Sequence, residues 1–140
     1  MSMPKAIPAT HIDLLERPLL AALATTLPNG TPQVTPVWFN YEDGHVHINS
    51  AAGRLKDRAI RAKPYLALLV VDPQKPGRYI QVRGPVVTIT EEGADEHINF
   101  LSHRYEGKDY IYTPGQVRVR YALAIERVDA FGEHCVSAWR

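Results

Sequence analysis

Residues 20–49, LAALATTLPNGTPQVTPVWFNYEDGHVHIN, decide the fold. Leu20 to Leu27 is small and apolar and runs into Asn29-Gly30. Asn-Gly is the strongest short signal for a tight hairpin, because both central residues of a type I′ turn need positive φ. The return strand is expected over Pro32 to Tyr41, and Asp43-Gly44 supplies a second tight turn. His45 to Asn49 then alternates, with Val46 and Ile48 on one face and His45, His47 and Asn49 on the other, the period of a half-buried strand. Three strands joined by two tight turns predict an antiparallel meander.

Working outward, Thr10 with Asp13 three residues later reads as a capping-box-like helix start. Ile12, Leu15 and Leu19 supply its apolar stripe, and Pro18 should end it near Arg17. Downstream, the small-residue loop Ser50-Ala51-Ala52-Gly53 leads into a short helix ending at Lys63-Pro64. Tyr65 to Val71 is apolar on both faces, which predicts a central strand covered on both sides. A long strand over Tyr79 to Thr90 is interrupted by Gly84-Pro85, a bulge or sharp bend of the kind that closes barrels. Glu91 to Tyr105 has helical spacing, with Ala94, Ile98, Leu101 and Tyr105 on one face. Val117 to Ile125 is the last clear strand, setting Val117, Val119, Tyr121, Leu123 and Ile125 against Arg118, Arg120 and Glu126. Six strands with tight turns and few short helices predict a mainly β fold, a small antiparallel barrel in one domain over residues 1–140.

A chain of 140 residues, 45% apolar and 22% charged, has ordinary globular composition and buries a core without staples. Its formal net charge of +1 creates no global field toward nucleic acid, so anion recognition must come from a local cluster. The single cysteine, Cys135, excludes an internal disulfide and argues against a cysteine-based zinc site. One thiol fits a reducing cytoplasm. Met1 to Pro8 has Lys5 but no apolar run behind it, unlike a signal peptide, and no segment approaches the ~18 apolar residues of a membrane span. The expectation is a soluble, cytoplasmic protein with neither membrane nor nucleic-acid partner.

The segment from Ser50 to Lys63 carries the most chemical information. Gly53 lets backbone approach a ligand closely, and a helix N-terminus behind it points free N–H groups outward. Arg54, Lys56 and Arg58 add three cations within five residues, in reach of one phosphate. The plainer account is a solvated basic face, with Leu55, Ala59 and Ala62 toward the core and Arg54, Arg58 and Arg61 in water. Spacing alone favours that account, since in a helix starting at Arg54 the Lys56 side chain lies opposite the arginines. Convergence on one anion requires Arg54 to lie in the loop, with regular helix starting around Lys56.

Pro32 and Pro36 cannot donate to a ladder, so their strand belongs at an edge. Its unpaired backbone groups would suit a planar heterocycle with amide-like edges. Trp38 and Phe39 beside it would wall such a ring or simply pack the core. A metal site is poorly supported: His45 and His47 share a strand face without a completing ligand, and His97 and His103 lie on different sides of a helix. No nucleophile elbow, Walker loop or GxGxxG loop is present. No side chain declares itself catalytic, as befits a protein whose cofactor performs the chemistry.

Taken in order, Pro36-Val37-Trp38-Phe39 before an Asp-Gly turn, Ser50 followed by Arg54-x-Lys56-x-Arg58, and Asp72-Pro73 leading into Arg78-Tyr79-Ile80-Gln81-Val82-Arg83-Gly84 carry a resemblance. From the first helix to Val128 the chain resembles the pyridoxamine-phosphate-oxidase-like split-barrel superfamily. Within it, the chain looks most like the B-type deazaflavin-dependent oxidoreductases that use coenzyme F420. The resemblance implies a six- to seven-stranded antiparallel split β-barrel and a homodimer with two cofactor sites at the interface. It implies that Arg54, Lys56 and Arg58 contact the cofactor's phosphate and that Ser50 adds a hydroxyl. Backbone from Thr35 through Pro36 and Val37 to Trp38 would meet the ring, and Tyr79, Ile80 and Gln81 would come from the second subunit. Arg61 and Lys63 would suit a deazaflavin's acidic tail. The implied activity is hydride transfer to a small electron-poor acceptor. FMN on the same scaffold, or a non-catalytic cofactor- or tetrapyrrole-binding module, are the alternatives. Ala59 and Ile60 stand where the family usually has Asn and Leu, which puts one polar contact in doubt. The tail from 129 to 140 matches nothing in the pattern, and within it Trp139 reads as either a partner-facing anchor or a frayed end.

Overall fold

A computed structural model describes residues 6–132; Lys5, Cys135 and Trp139 lie outside the described residues. The elements run α1 (Ile12–Glu16), β1 (Ala21–Thr26), β2 (Pro32–Val37), β3 (Asn40–Glu42), β4 (His45–Ala51), α2 (Leu55–Ala62), β5 (Tyr65–Val71), β6 (Tyr79–Thr90), α3 (Ala94–Glu106), β7 (Arg118–Ala124) and β8 (Arg127–Phe131). Every strand pairing is antiparallel, in the order β2-β1-β5-β6-β7-β4-β3, with β8 added to β6. The sheet curls around one core that includes Leu14, Leu23, Phe39, Ile48, Leu68 and Tyr121. This is the mainly β, split-barrel architecture that the strand pattern predicts.

Two corrections to that pattern shape the site. The stretch from Pro32 to Tyr41 is not one return strand, so the first three strands are no simple meander. It breaks at Trp38-Phe39, because Phe39 turns fully into the core. β2 pairs with β1 at one margin of the sheet, while β3 pairs with β4 at the other. One short link therefore joins the two margins. The second correction is β8, a strand the weak alternation of Arg127 to Phe131 did not announce.

The long strand β6 serves both halves of the barrel. Tyr79 to Arg83 lies between β5 and β8, and beyond Gly84 the strand moves over to pair with β7, with a register shift between Val86 and Thr88. Gly84 is required at that corner: a Cβ there would sit 1.7 Å from the Ala124 carbonyl oxygen. The predicted bend is thus a place where two backbones touch.

Smaller departures have local causes. The expected capping box does not form; the Thr10 hydroxyl bonds His11 Nδ1 instead, and Asp13 pairs with Arg78 and Arg17. Arg78 also reaches Asp72 at 2.8 Å, so one guanidinium fastens α1 to the β5–β6 turn. β5 is central but covered on one face only: Leu66, Leu68 and Val70 are buried, while Ala67 and Leu69 face outward and half-open. In α2, Leu55 and Ala62 are exposed and the buried face is Asp57, Ala59 and Ile60, because the Asp57 carboxylate is drawn inward. Among the described residues no helix is long and apolar enough to cross a membrane.

Candidate functional site

The Gly53 backbone adopts φ +84°, and its N–H donates to Asp57 Oδ2 at 2.9 Å. Asp57 is almost fully buried and also accepts from the Tyr121 hydroxyl at 2.6 Å and from Arg61 Nε at 3.0 Å. Burial would raise its pKa, but these hydrogen bonds outweigh it and hold the carboxyl below the usual range. A buried acid thus locks the loop before α2 onto the barrel. Arg54 follows as the residue preceding the helix, in extended conformation at φ −65° and ψ 160°. The condition for convergence, Arg54 in the loop and helix starting beside Lys56, is met.

Lys56 is half-buried and lines an open cleft of about 350 Å³ together with Leu20, Pro36, Trp38, Asn49 and Arg118. Burial, with Arg54 and Arg118 nearby, holds its ammonium below the ordinary lysine range. Arg54 and Arg58 are exposed outside this cleft and form an outer pair, while Lys56 and Arg118 form an inner one. The Trp38 ring stacks on Tyr105 with centroids 5.3 Å apart and planes 9° from parallel. Val37 completes that wall, and Ile98 and Leu101 of α3 close the opposite side. Among the described residues the edge strand β2 pairs with β1 alone, and its other side has no strand partner, as the prolines predict.

Not every expected residue reaches this cleft. Ser50 lies on the buried face of β4, 3% exposed, beside Val46 and Ile48. Its neighbour Asn49 faces the cleft in its place. Ile80 is a core residue, fully buried. Tyr79 packs against Phe131, and Gln81 lies on the open outer face of the sheet. On that face a second depression of about 320 Å³ continues past Pro36 along Ala22, Val34, Thr35 and Leu69. Leu20 and Val34 are more than 60% exposed there, an apolar patch of the kind that marks an interaction surface.

Asn49 and Arg118 are the residues that spacing missed. Strand alternation already set Asn49 opposite the core, but Arg118 reads as one of two outward arginines until the sheet brings it opposite Ala51. Arg118 Nε donates to Asn49 Oδ1 at 2.8 Å, and Nη1 reaches Gln116 Oε1 at 3.1 Å and the Tyr110 hydroxyl at 3.3 Å. Asn49 Nδ2 is 3.1 Å from His97 Nδ1 and donates to the Ala94 carbonyl at 2.9 Å. His97 Nε2 lies 2.8 Å from Asn40 Oδ1. These contacts define a neutral His97 with its proton on Nε2, and burial together with nearby His47, Arg120 and Arg118 lowers its pKa to about 4. Among the described residues no group of three or more His, Cys, Asp or Glu is placed to hold a metal ion.

A curled antiparallel sheet, a basic loop leading into a short helix, and a proline-bearing edge strand together make a split barrel. The family model for pyridoxamine 5′-phosphate oxidase matches residues 7–131, and the chain belongs to that family. A solved structure of an F420 reductase is 34% identical over 88% of this chain and 98% of its own, with a TM-score of 0.80. A conserved hypothetical protein from Mycobacterium tuberculosis shares the fold at 19% identity and TM-score 0.73, over 100% of this chain and 98% of its own. HupZ from Group A Streptococcus does so at 18% identity and TM-score 0.71, covering 95% and 100% of the two chains. No curated protein matches the sequence.

Proposed function

We propose that this chain is a homodimeric oxidoreductase that holds coenzyme F420, a deazaflavin, against a small electron-poor acceptor. One observation carries the reading: Lys56, in the first turn of α2 behind the loop residue Arg54, lines one cleft with Pro36 and Val37 of the edge strand β2. The donor set suits a phosphate. Arg54, Lys56 and Arg58 supply charge, and the first-turn N–H groups of α2 have no partner within the helix. The 34% identity to an F420 reductase favours the deazaflavin over FMN.

When bound, the deazaflavin supplies hydride transfer. The protein's own residues bind, orient and shield. The loop cations fix the phosphate end, and the Asp57–Tyr121 bond keeps them in place. Backbone around Thr35 to Trp38, where β2 runs along the edge of the sheet, would meet the ring's edge. Trp38, Ile98 and Leu101 exclude water from the acceptor side. The open apolar face of β1, β2 and β5 lies next to this edge and suits a second copy of the chain. In such a two-fold pairing Tyr79 and Gln81 of one copy would be the residues offered to the cofactor of the other.

Titrating the apoprotein with coenzyme F420 and with FMN, followed by fluorescence, tests the reading. Tighter binding of F420, with reduction of an acceptor by the reduced complex, is the expected result. A clear preference for FMN overturns the cofactor, and tight binding without turnover against any acceptor overturns the enzyme.

A further inference from the structure

We infer that Arg118 is the receptor for a carboxylate group in the inner cleft, beside the phosphate site of Arg54, Lys56 and Arg58 and sharing its inner cation, Lys56. The inference rests on the proposed function only in assigning Arg54, Lys56 and Arg58 to the cofactor's phosphate.

The starting observation is a buried cation with no acid in direct contact, Asp95 acting on it only from a distance. Arg118 is 6% exposed, yet among the described residues no carboxylate lies within 4 Å of it. All its hydrogen bonds go to neutral groups, Asn49, Gln116 and Tyr110, and its guanidinium also lies over the Tyr110 ring at 5.3 Å. Arginines buried to this degree ordinarily carry a paired acid, because desolvating the cation alone is costly. Elsewhere in this chain that rule holds: the similarly buried Arg78 is paired with Asp13 and Asp72. Arg118 faces the cleft instead, and the second cation at that cleft, Lys56, has no acid partner among the described residues either.

The remaining valences indicate which anion fits. Nε and Nη1 of Arg118 are occupied by protein acceptors, leaving Nη2 as the open end. One open guanidinium nitrogen plus one ammonium provide a donor for each oxygen of a carboxylate. A phosphate monoester has three oxygens and up to two charges, and it is better served by the outer cations and the helix N-terminus. The surrounding wall, Leu20, Trp38, Ile98 and Leu101, is apolar and partly aromatic. The ligand group is therefore a carboxylate carried on an apolar or planar body. Both a carboxylic-acid substrate and the acidic tail of a deazaflavin offer such a group.

The test uses the whole chain with benzoate and benzamide as matched probes, together with FMN and coenzyme F420 titrations. Gln116→Glu is the informative variant. It places a carboxylate where Gln116 Oε1 already accepts from Arg118, so the internal pair forms, the fold is retained and the receptor is neutralised. In the wild type, benzoate should bind at least tenfold more tightly than benzamide if the acid is the substrate's. Gln116→Glu and Arg118→Gln should then each remove at least tenfold of the benzoate affinity. If the acid is the cofactor tail's, the same variants should weaken F420 by tenfold and leave FMN, which has no carboxylate, within twofold. Circular dichroism and thermal melting confirm that each variant is folded. Loss of FMN and F420 affinity together would assign Arg118 to the phosphate site and overturn the inference. So would benzoate and F420 binding that neither variant alters. Failure of both cofactors to bind the wild type sinks the proposed function but leaves the benzoate comparison to decide this one.

Discussion

The Tyr121 hydroxyl donates to Asp57 Oδ1 across 2.6 Å, joining the buried side of β7 to the first turn of α2. The bond fixes the loop that carries Arg54 and Lys56, so its loss should be felt in both stability and ligand affinity. Tyr121→Phe leaves the Asp57 oxygen short of one donor and should cost about 1–3 kcal/mol. Urea denaturation measures the stability and cofactor titration the affinity; an unchanged affinity would mean the loop is held by Gly53 and Arg61 alone.

His97 predicts acid sensitivity well above the carboxylate range. Its folded pKa is about 4 against an ordinary 6.5, so between those values the unfolded chain binds the extra proton. Stability is then fully present above pH 6.5 and is lost as pH falls toward 4, by roughly 2–3 kcal/mol in all. Denaturation midpoints at steps from pH 7.5 to 4.5 should show this slope, and His97→Phe should flatten it. Asp57 adds loss only at lower pH, since its folded pKa lies below 3.8.

The outer and inner cations should separate by salt dependence. Lys56→Ala should weaken cofactor binding by about 1.5–3 kcal/mol, the worth of a charge-assisted bond in a partly desolvated site. Arg58→Ala, at an exposed position, should cost less than about 1 kcal/mol and less still at high salt. An unchanged affinity in both variants would return the whole cluster to a solvated face.

Two glycines should respond to very different degrees. Gly84→Ala drives a methyl group into the Ala124 carbonyl, and either the β6 corner moves or the chain fails to fold. A loss above about 3 kcal/mol is expected. Gly53→Ala meets nothing within 4 Å but keeps a positive φ, so it should cost about 1 kcal/mol. Thermal unfolding of the pair distinguishes steric closure from conformational strain.

Much of the barrel was legible because its signals are local. Asn29-Gly30 and Asp43-Gly44 mark turns by their φ requirement, and the prolines of β2 mark an edge by their missing donors. The loop position of Arg54 stood in the sequence only as a condition for its charge to converge with that of Lys56, since spacing alone favoured a solvated face. What escaped is non-local. Nothing within residues 32–41 tells that the strand leaves one margin of the sheet and joins the other, because that depends on Phe39 finding the core. Arg118 enters the site only through its pairing opposite Ala51, and Leu55 turns outward only because Asp57 is wanted inside by Tyr121. Ser50 was misjudged for the converse reason: a hydroxyl beside a basic loop reads as a ligand, yet strand parity turns it inward.

The link at Trp38-Phe39 has a consequence for how the molecule keeps time while folding. Two hairpins, β1–β2 and β3–β4, share a single polypeptide segment, and each closes over a few residues. They are the cheapest contacts to form, yet neither can settle its register independently of the other. A one-residue slip in either would pull Phe39 out of the core and turn the adjoining side chains to the wrong face. Committing the two hairpins to their final pairing thus waits on the distant strands β5, β6 and β7 that separate them. The segment proposed to meet the ligand's ring would be among the last to become kinetically locked.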